Sequence, residues 1–370
     1  MNSEKRRLLI AGGGTGGHLF PALAVAEAWE AQGGETLFVG TPRGLEAKLL
    51  PGMGKRLALL DVGPLKGGGA GQRLRTLLGL PGAVRQAAAL LDEFAPHAAL
   101  GVGGYASAPA MAAAWMKKIP TLLHEQNARP GLTNRWLSRI AREVCISFPE
   151  AEAAFAGRRA PVRLTGNPVR SALFQVSEAM RWRGGRKPFQ LLIFGGSQGA
   201  RIFSQTVPRA LETLDGSGVF LQVRHQAPEE DLAELRATYE AMGIPAQVER
   251  FIQDMAKAYE AADLVICRAG ATTAAELTAV GRAALFVPYP HAADDHQTAN
   301  AQSLVNAGAG WMMRQEEFSP AALSLFLRQR TGNPDELIAA AQKTRTLARP
   351  GAATEIVGRL TALALGDDGP

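Results

Sequence analysis

The feature that most limits what this chain can fold into is a pattern that occurs twice. LLIAGGGTGGH (residues 8–18) and FQLLIFGGSQGAR (residues 189–201) each run an apolar segment into a glycine-rich turn and then into a helix-like stretch. After the first of these, ETLFVG, AALGVG, IPTLL and EVCISF alternate with helical patterns; after the second, VFLQVRH, AQVERFI, ADLVICRAG and AALFVPYP do the same. Such alternation is the signature of βαβ units and a parallel sheet. Its restart near residue 193 predicts an α/β chain of two Rossmann-like domains, with parallel sheets facing across a cleft. The expected domains are 1–164 and 165–349, joined through RLTGNPVR (163–170), with WRGGRKP (182–188) leading into the second sheet. Beyond Pro350-Gly351, an amphipathic segment of about 350–366 is expected to pack back on the first domain. Ligands of open α/β sheets bind beyond the carboxyl ends of the strands, so the chemistry belongs at the strand-to-helix turns.

Two domains suit a chain of 370 residues, and 46% hydrophobic with 20% charged residues excludes disorder of the whole. A net charge of +6 favours anionic partners. Cys145 and Cys267 each lie inside an apolar run without CxxC spacing, which excludes a disulfide framework and a zinc site. The first apolar run is only LLIA, too short for a signal peptide. Residues 98–116 carry no charge, but Gly101, Gly103, Gly104 and Pro109 break them into a strand, a turn and a small-residue helix. The chain reads as soluble, with attachment to a membrane surface left open.

The first turn, AGGGTGGHLFP, has the Gly-x-Gly-x-x-Gly spacing of a dinucleotide fingerprint, and its glycines let a phosphate approach backbone N–H groups at a helix start. That reading also needs an acidic residue at the end of the second strand, which here ends TLFVGTPRG. A redox dinucleotide site is therefore disfavoured. His18 falls in the first turn of the following helix, where a neutral imidazole could accept a proton from an attacking hydroxyl; a histidine that merely packs the helix start would look the same. GVGGYASAP (101–109) is a second glycine nest. His124, Glu125, Gln126 and Asn127 stand in a row just past a strand, a density of polar groups that points to sugar or hydroxyl recognition.

In the second half, FGGSQGAR and CRAGATTAAEL (267–277) offer two anion-cradling turns, the latter with Arg268, Thr272 and Thr273 nearby. Two such turns fit one diphosphate. Glu276, one helical turn further, suits a ribose diol, or is an ordinary helix charge. PYPHAADDHQTANA (288–301) ends a strand with a polar run lacking zinc-ligand spacing. The chain has no D-x-D and no GxxxxGK[ST]. Phosphate charge is thus expected to be met by backbone dipoles and arginine, with no metal and no cofactor.

Taken in order, GGGTGGH, GVGGYASAP, HEQN, GNPVR, FGGSQGA, FIQDM, CRAGATTAAE and DDHQTANA closely resemble the MurG family, from about residue 8 to about residue 310. The resemblance implies a GT-B fold and an inverting, metal-independent hexosaminyltransferase. Such an enzyme moves GlcNAc from UDP-GlcNAc to the C4 hydroxyl of MurNAc in undecaprenyl-pyrophosphoryl-MurNAc-pentapeptide during peptidoglycan synthesis. Donor contacts carry over by motif position to Thr15, Gly16, Gly17, Asn127, Arg170 and Ser197. Ile252 is implied at the uracil edge, Ala271, Thr272, Thr273, Ala274, Ala275 and Glu276 at phosphate and ribose, and Gln297 at the sugar hydroxyls. His18 is the candidate base or acceptor-orienting group, with Glu125 a second candidate, and Gly103, Gly104, Tyr105 and His124 are expected on the acceptor side.

A lipid-linked acceptor implies a peripheral position on the cytoplasmic face of the bacterial inner membrane, with cell-division or elongation proteins as partners and no nucleic acid. Residues 65–91 interleave Lys66, Arg73, Arg75 and Arg85 with Leu74, Leu77, Leu78 and Leu80. An apolar patch rimmed by cations suits an anionic leaflet, although a helix pair with core leucines carries the same pattern. Alternatives are a UDP-sugar epimerase, a glycolipid transferase with another acceptor, or a non-catalytic nucleotide-sugar-binding scaffold.

Overall fold

The computed structural model describes residues 5–63, 70–176, 188–196, 199–214 and 219–366, the side chains of 70–77 excepted. The chain divides into two compact units, residues 1–169 with 349–370, and residues 170–348.

The first unit begins β1 (Arg7–Gly12), α1 (Gly16–Glu30), β2 (Glu35–Gly40), α2 (Leu45–Leu49), β3 (Leu57–Leu59) and α3 (Ala70–Phe94). It continues with β4 (Ala98–Gly103), α4 (Ser107–Met116), β5 (Thr121–Glu125), α5 (Leu132–Leu137), β6 (Glu143–Ile146) and β7 (Val162–Leu164). The strands form one sheet in the order β3-β2-β1-β4-β5-β6-β7, each pair parallel. Its central strands are buried on both faces, which is why they read as unbroken apolar runs. Leu9 and Ala11 point into a core shared with α3 and α4, while Leu8 and Ile10 point into one shared with α1.

The second unit repeats the plan. It comprises β8 (Phe189–Phe194), α6 (Arg201–Glu212), β9 (Leu221–Gln226), α7 (Leu232–Ala241), β10 (Ala246–Glu249), α8 (Met255–Ala261) and β11 (Leu264–Cys267), then α9 (Ala271–Val280), β12 (Ala284–Phe286), α10 (His296–Asn306), β13 (Trp311–Met312), α11 (Pro320–Gly332) and α12 (Pro334–Thr346). The sheet order is β10-β9-β8-β11-β12-β13, again parallel throughout. In both sheets the direction of winding reverses beside the first strand, between β1 and β4 and between β8 and β11. These switch points are where such sheets take ligands.

The last helix, α13 (Ala352–Ala364), belongs to the first unit. Its Ile356, Val357, Leu360 and Leu363 enter the core beside Leu19, Leu23 and Ala26 of α1. Arg359 grips the buried Glu143 carboxylate at 2.8–3.0 Å, and Arg163 reaches the same group at 2.7 Å. Both cysteines are buried in strands, and burial pushes their thiols up, away from reactivity. Among the described residues no helix is long and apolar enough to cross a membrane.

Candidate active site

In the first unit, the turns after β1 and β4 are pressed backbone to backbone. Gly13 N–H donates to the Gly103 carbonyl at 3.3 Å. A Cβ on Gly12 would fall 2.2 Å from that same carbonyl oxygen, and one on Gly104 would fall 2.6 Å from the Gly13 oxygen. Only glycine permits this approach, and both residues also have positive φ. Thr15, in extended conformation, precedes α1, and its hydroxyl lies 3.1 Å from His18 Nδ1. The opposite edge of the imidazole rests on Gly103, where a Cβ would come within 3.1 Å of Nε2. His18, Gly16 and Gly17 are half-buried and Thr15 is exposed. The structure thus brings Thr15, His18, Gly103 and Gly104 together, with Tyr105 exposed beside them.

One residue of this turn escaped the sequence reading. Glu46, in α2, is 1% exposed, and its carboxylate accepts hydrogen bonds from Gly14 N (2.7 Å), Thr41 N (2.8 Å) and the Thr41 hydroxyl (3.2 Å). The acid missing from the tip of β2 therefore arrives five residues past Thr41, pointing inward. The Gly14 amide already holds an anion, which corrects the picture of an amide nest open throughout to phosphate.

The HEQN segment also differs from expectation. His124, Glu125 and Gln126 are at most 2% exposed and are consumed in building the turn. His124 Nδ1 accepts from Gln126 Nε2 at 3.1 Å, which leaves Nε2 as the donor to the Gly166 carbonyl at 3.1 Å. Burial pushes this imidazole down to about 4, so it is neutral. The Glu125 carboxylate accepts from Asn127 N (2.9 Å), Gly131 N (3.1 Å) and Asn134 Nδ2 (2.9 Å), while burial raises its pKa. A carboxylate so engaged holds Asn127 and the following turn in place, and His124 braces the same turn from within. Asn127 itself is half-buried. Asn134 was missed because nothing in its spacing marks it; the fold alone brings it to Glu125.

In the second unit, β11 feeds through Gly270 into α9, so the amides of Ala271–Thr273 open a helix N-terminus. The Thr272 hydroxyl there is buried without a hydrogen-bond partner, an open valence at an anion-favouring helix start. Glu276, one turn on, accepts from the Tyr259 hydroxyl at 2.9 Å and lies 3.9 Å from the Arg170 guanidinium. Its side chain is 15% exposed, and burial, the dominant cause, raises its pKa. Arg170 and Glu276 are therefore neighbours, and Tyr259 is a third member that sequence spacing did not reveal.

Arg268, which follows β11, turns away from this helix start. Its guanidinium donates to the Val287 and Pro288 carbonyls at 3.0 and 3.1 Å and to Gln315 Oε1 at 2.7 Å, and it lies against Phe203 and Tyr289. It braces the loop after β12. Ile252 is buried, and Gln297 Oε1 accepts from Tyr289 N at 2.9 Å. Just before α10, Asp294 and Asp295 both take left-handed backbone, φ 55° and 53°, a conformation aspartate tolerates better than most residues. Ser197, Lys66 and the side chains of Arg73, Leu74, Arg75 and Leu77 lie outside the described residues. On α3, Leu78 and Arg85 are exposed and Leu80 is half-buried.

Two parallel Rossmann-like sheets with these switch-point turns define an α/β protein of GT-B architecture. Residues 8–146 match the glycosyltransferase family 28 N-terminal domain and residues 190–356 its C-terminal domain. The chain is 52% identical over 367 residues to the UDP-N-acetylglucosamine–N-acetylmuramyl-(pentapeptide) pyrophosphoryl-undecaprenol N-acetylglucosamine transferase of Magnetococcus marinus, covering 98% of this chain and 99% of that protein. It is 45% identical to the protein of the same name from Citrifermentans bemidjiense, over 96% of this chain and 99% of that one. The crystal structure of Acinetobacter baumannii MurG matches with a TM-score of 0.80 at 35% identity, over 96% and 99% of the two chains. The chain belongs to the MurG family of these transferases.

Proposed function

We propose that this enzyme transfers GlcNAc from UDP-GlcNAc to the C4 hydroxyl of MurNAc in undecaprenyl-pyrophosphoryl-MurNAc-pentapeptide, with inversion at the anomeric carbon, in peptidoglycan synthesis. The observation that carries the donor side is the Glu276–Tyr259–Arg170 group beside the partnerless Thr272 hydroxyl at the start of α9. The Glu276 carboxylate accepts the ribose hydroxyls, while the amides of Ala271–Thr273 and Arg170 take the diphosphate. Gln297 meets the GlcNAc hydroxyls, Ile252 the uracil edge, and Thr15, Gly16, Gly17 and Asn127 complete the donor contacts. The acceptor oxygen attacks the anomeric carbon as the bond to UDP breaks, and its proton passes to His18, held by Thr15 and Gly103. Charge leaving on UDP is stabilised by the helix start and the guanidinium.

Leu78, 73% exposed on α3, and the exposed Arg85 support adsorption to an anionic leaflet. The enzyme accordingly works at the cytoplasmic face of the inner membrane, alongside division or elongation proteins. Radiolabelled UDP-GlcNAc with a short-chain lipid-linked muramyl-pentapeptide tests the reaction. Label should move to the lipid-linked sugar as UDP is released, and His18→Gln should lower kcat about 10²–10⁴-fold with UDP affinity retained. A free epimerised sugar, transfer to diacylglycerol, or no turnover with this acceptor would refute it.

A further inference from the structure

The Glu46 carboxylate is buried inside the first glycine turn and forms no ion pair among the described residues. Its charge is met by the Gly14 and Thr41 amides and the Thr41 hydroxyl, charge-assisted bonds of the stronger kind. Three glycines make the space: a Cβ on Gly13, Gly40 or Gly44 would fall 2.5, 2.3 or 2.1 Å from its side-chain atoms. Gly44 has φ −76° and ψ 163°, backbone open to any residue, so glycine is there for room alone. The carboxylate is therefore a built-in anion around which the turn is assembled.

We propose that Glu46 is a positioning residue for the transfer reaction. It fixes Gly14, hence Thr15, hence the imidazole that Thr15 holds at 3.1 Å. It also occupies the Gly14 amide with negative charge, so the donor meets this turn through the first amides of α1, at Gly16 and Gly17, and not through Gly14. The inference rests on the role given to His18 above.

Glu46→Gln tests it in the full-length enzyme. The amide keeps the shape but sets an NH2 donor against backbone donors, so the turn loosens. Misplacement of a catalytic group by about 1 Å costs on the order of 100-fold. The expected result is a 10- to 100-fold fall in kcat with the acceptor and at most a threefold rise in the KM for UDP-GlcNAc, because most donor contacts lie in the other unit, while the unfolding temperature stays near wild type. Transfer within twofold of wild type overturns the proposal, as does a parallel collapse of donor KM and unfolding temperature, which marks a merely structural role. Should the variant not fold, amide hydrogen exchange in the wild type decides: Gly14 protected at least tenfold over Gly16 and Gly17 supports the latch, and equal exchange overturns it. A wild type that transfers nothing defeats the functional reading instead, a distinct outcome.

Discussion

Replacing Glu276 by glutamine should weaken UDP binding without weakening the fold. The carboxylate is mostly buried, with one oxygen taken by Tyr259 and the other 3.9 Å from Arg170. Glutamine keeps an acceptor for Tyr259 through its carbonyl and presents an amide where the second oxygen was. Hydrogen bonds to a charged group are worth about 1.5–3 kcal/mol, so losing a ribose bond of that kind costs about 10- to 150-fold in Kd. Isothermal titration with UDP from pH 5 to 8 measures this and a second signature. Because burial raises the Glu276 pKa, wild-type affinity should fall with decreasing pH before an ordinary carboxylate would titrate, and the variant should lack that fall. A Kd within threefold of wild type, with the acid limb unchanged, would remove Glu276 from the donor site.

Two further outcomes concern stability. Burial holds His124 at about 4 and His225 at about 3, against 6.5 in the unfolded chain, so unfolded protein takes up these protons first as pH falls. The stability these groups contribute should be full above pH 6.5 and be lost from there down to about pH 4 for His124, by roughly 3 kcal/mol, and on to about pH 3 for His225. The raised carboxyl of Glu125 titrates in the opposite sense. The clean check is therefore the slope of urea-derived stability against pH in wild type and in His225→Phe, and equal slopes would contradict it. Arg359→Leu should cost about 3 kcal/mol, the low end for breaking one side of a buried pair, because Arg163 still reaches Glu143. An unshifted urea midpoint would show that α13 is held by its apolar face alone.

Much of the architecture is legible in the chain because both sheets bury their central strands on two faces, so Leu8–Ile10 and Leu191–Ile193 read as apolar runs ending in glycines. The glycine turns are legible for the same local reason: positive φ and close approach at Gly12 and Gly104 leave one residue type. What is not legible is the direction of a polar side chain. Glu125 draws its donors from positions 127, 131 and 134, so three of the four polar residues in this row hold the loop together, which their run in the sequence does not reveal. Arg268 turns to carbonyls 19 and 20 residues ahead, and Glu276 meets a tyrosine 17 residues behind. Spacing rules see neighbours within a turn, and these partners are set by the sheet.

The first glycine turn shows why its spacing alone misleads. In a dinucleotide site the acid stands at the tip of the second strand, leaving the turn amides to phosphate and its own oxygens to ribose. Here β2 ends at Gly40, and the acid enters as the second residue of α2, with glycines at 13, 40 and 44 giving it room to turn inward. Once its carboxylate holds the Gly14 amide at 2.7 Å, it cannot also receive a ribose, and that amide cannot receive a phosphate. Under the proposal above, the same glycines serve as a mount for Thr15 and His18, with only Gly16 and Gly17 left to the donor. In the reading proposed above the ribose falls to Glu276 on α9 of the second unit, and the position of one buried acid, more than the glycine count, decides which chemistry the turn supports.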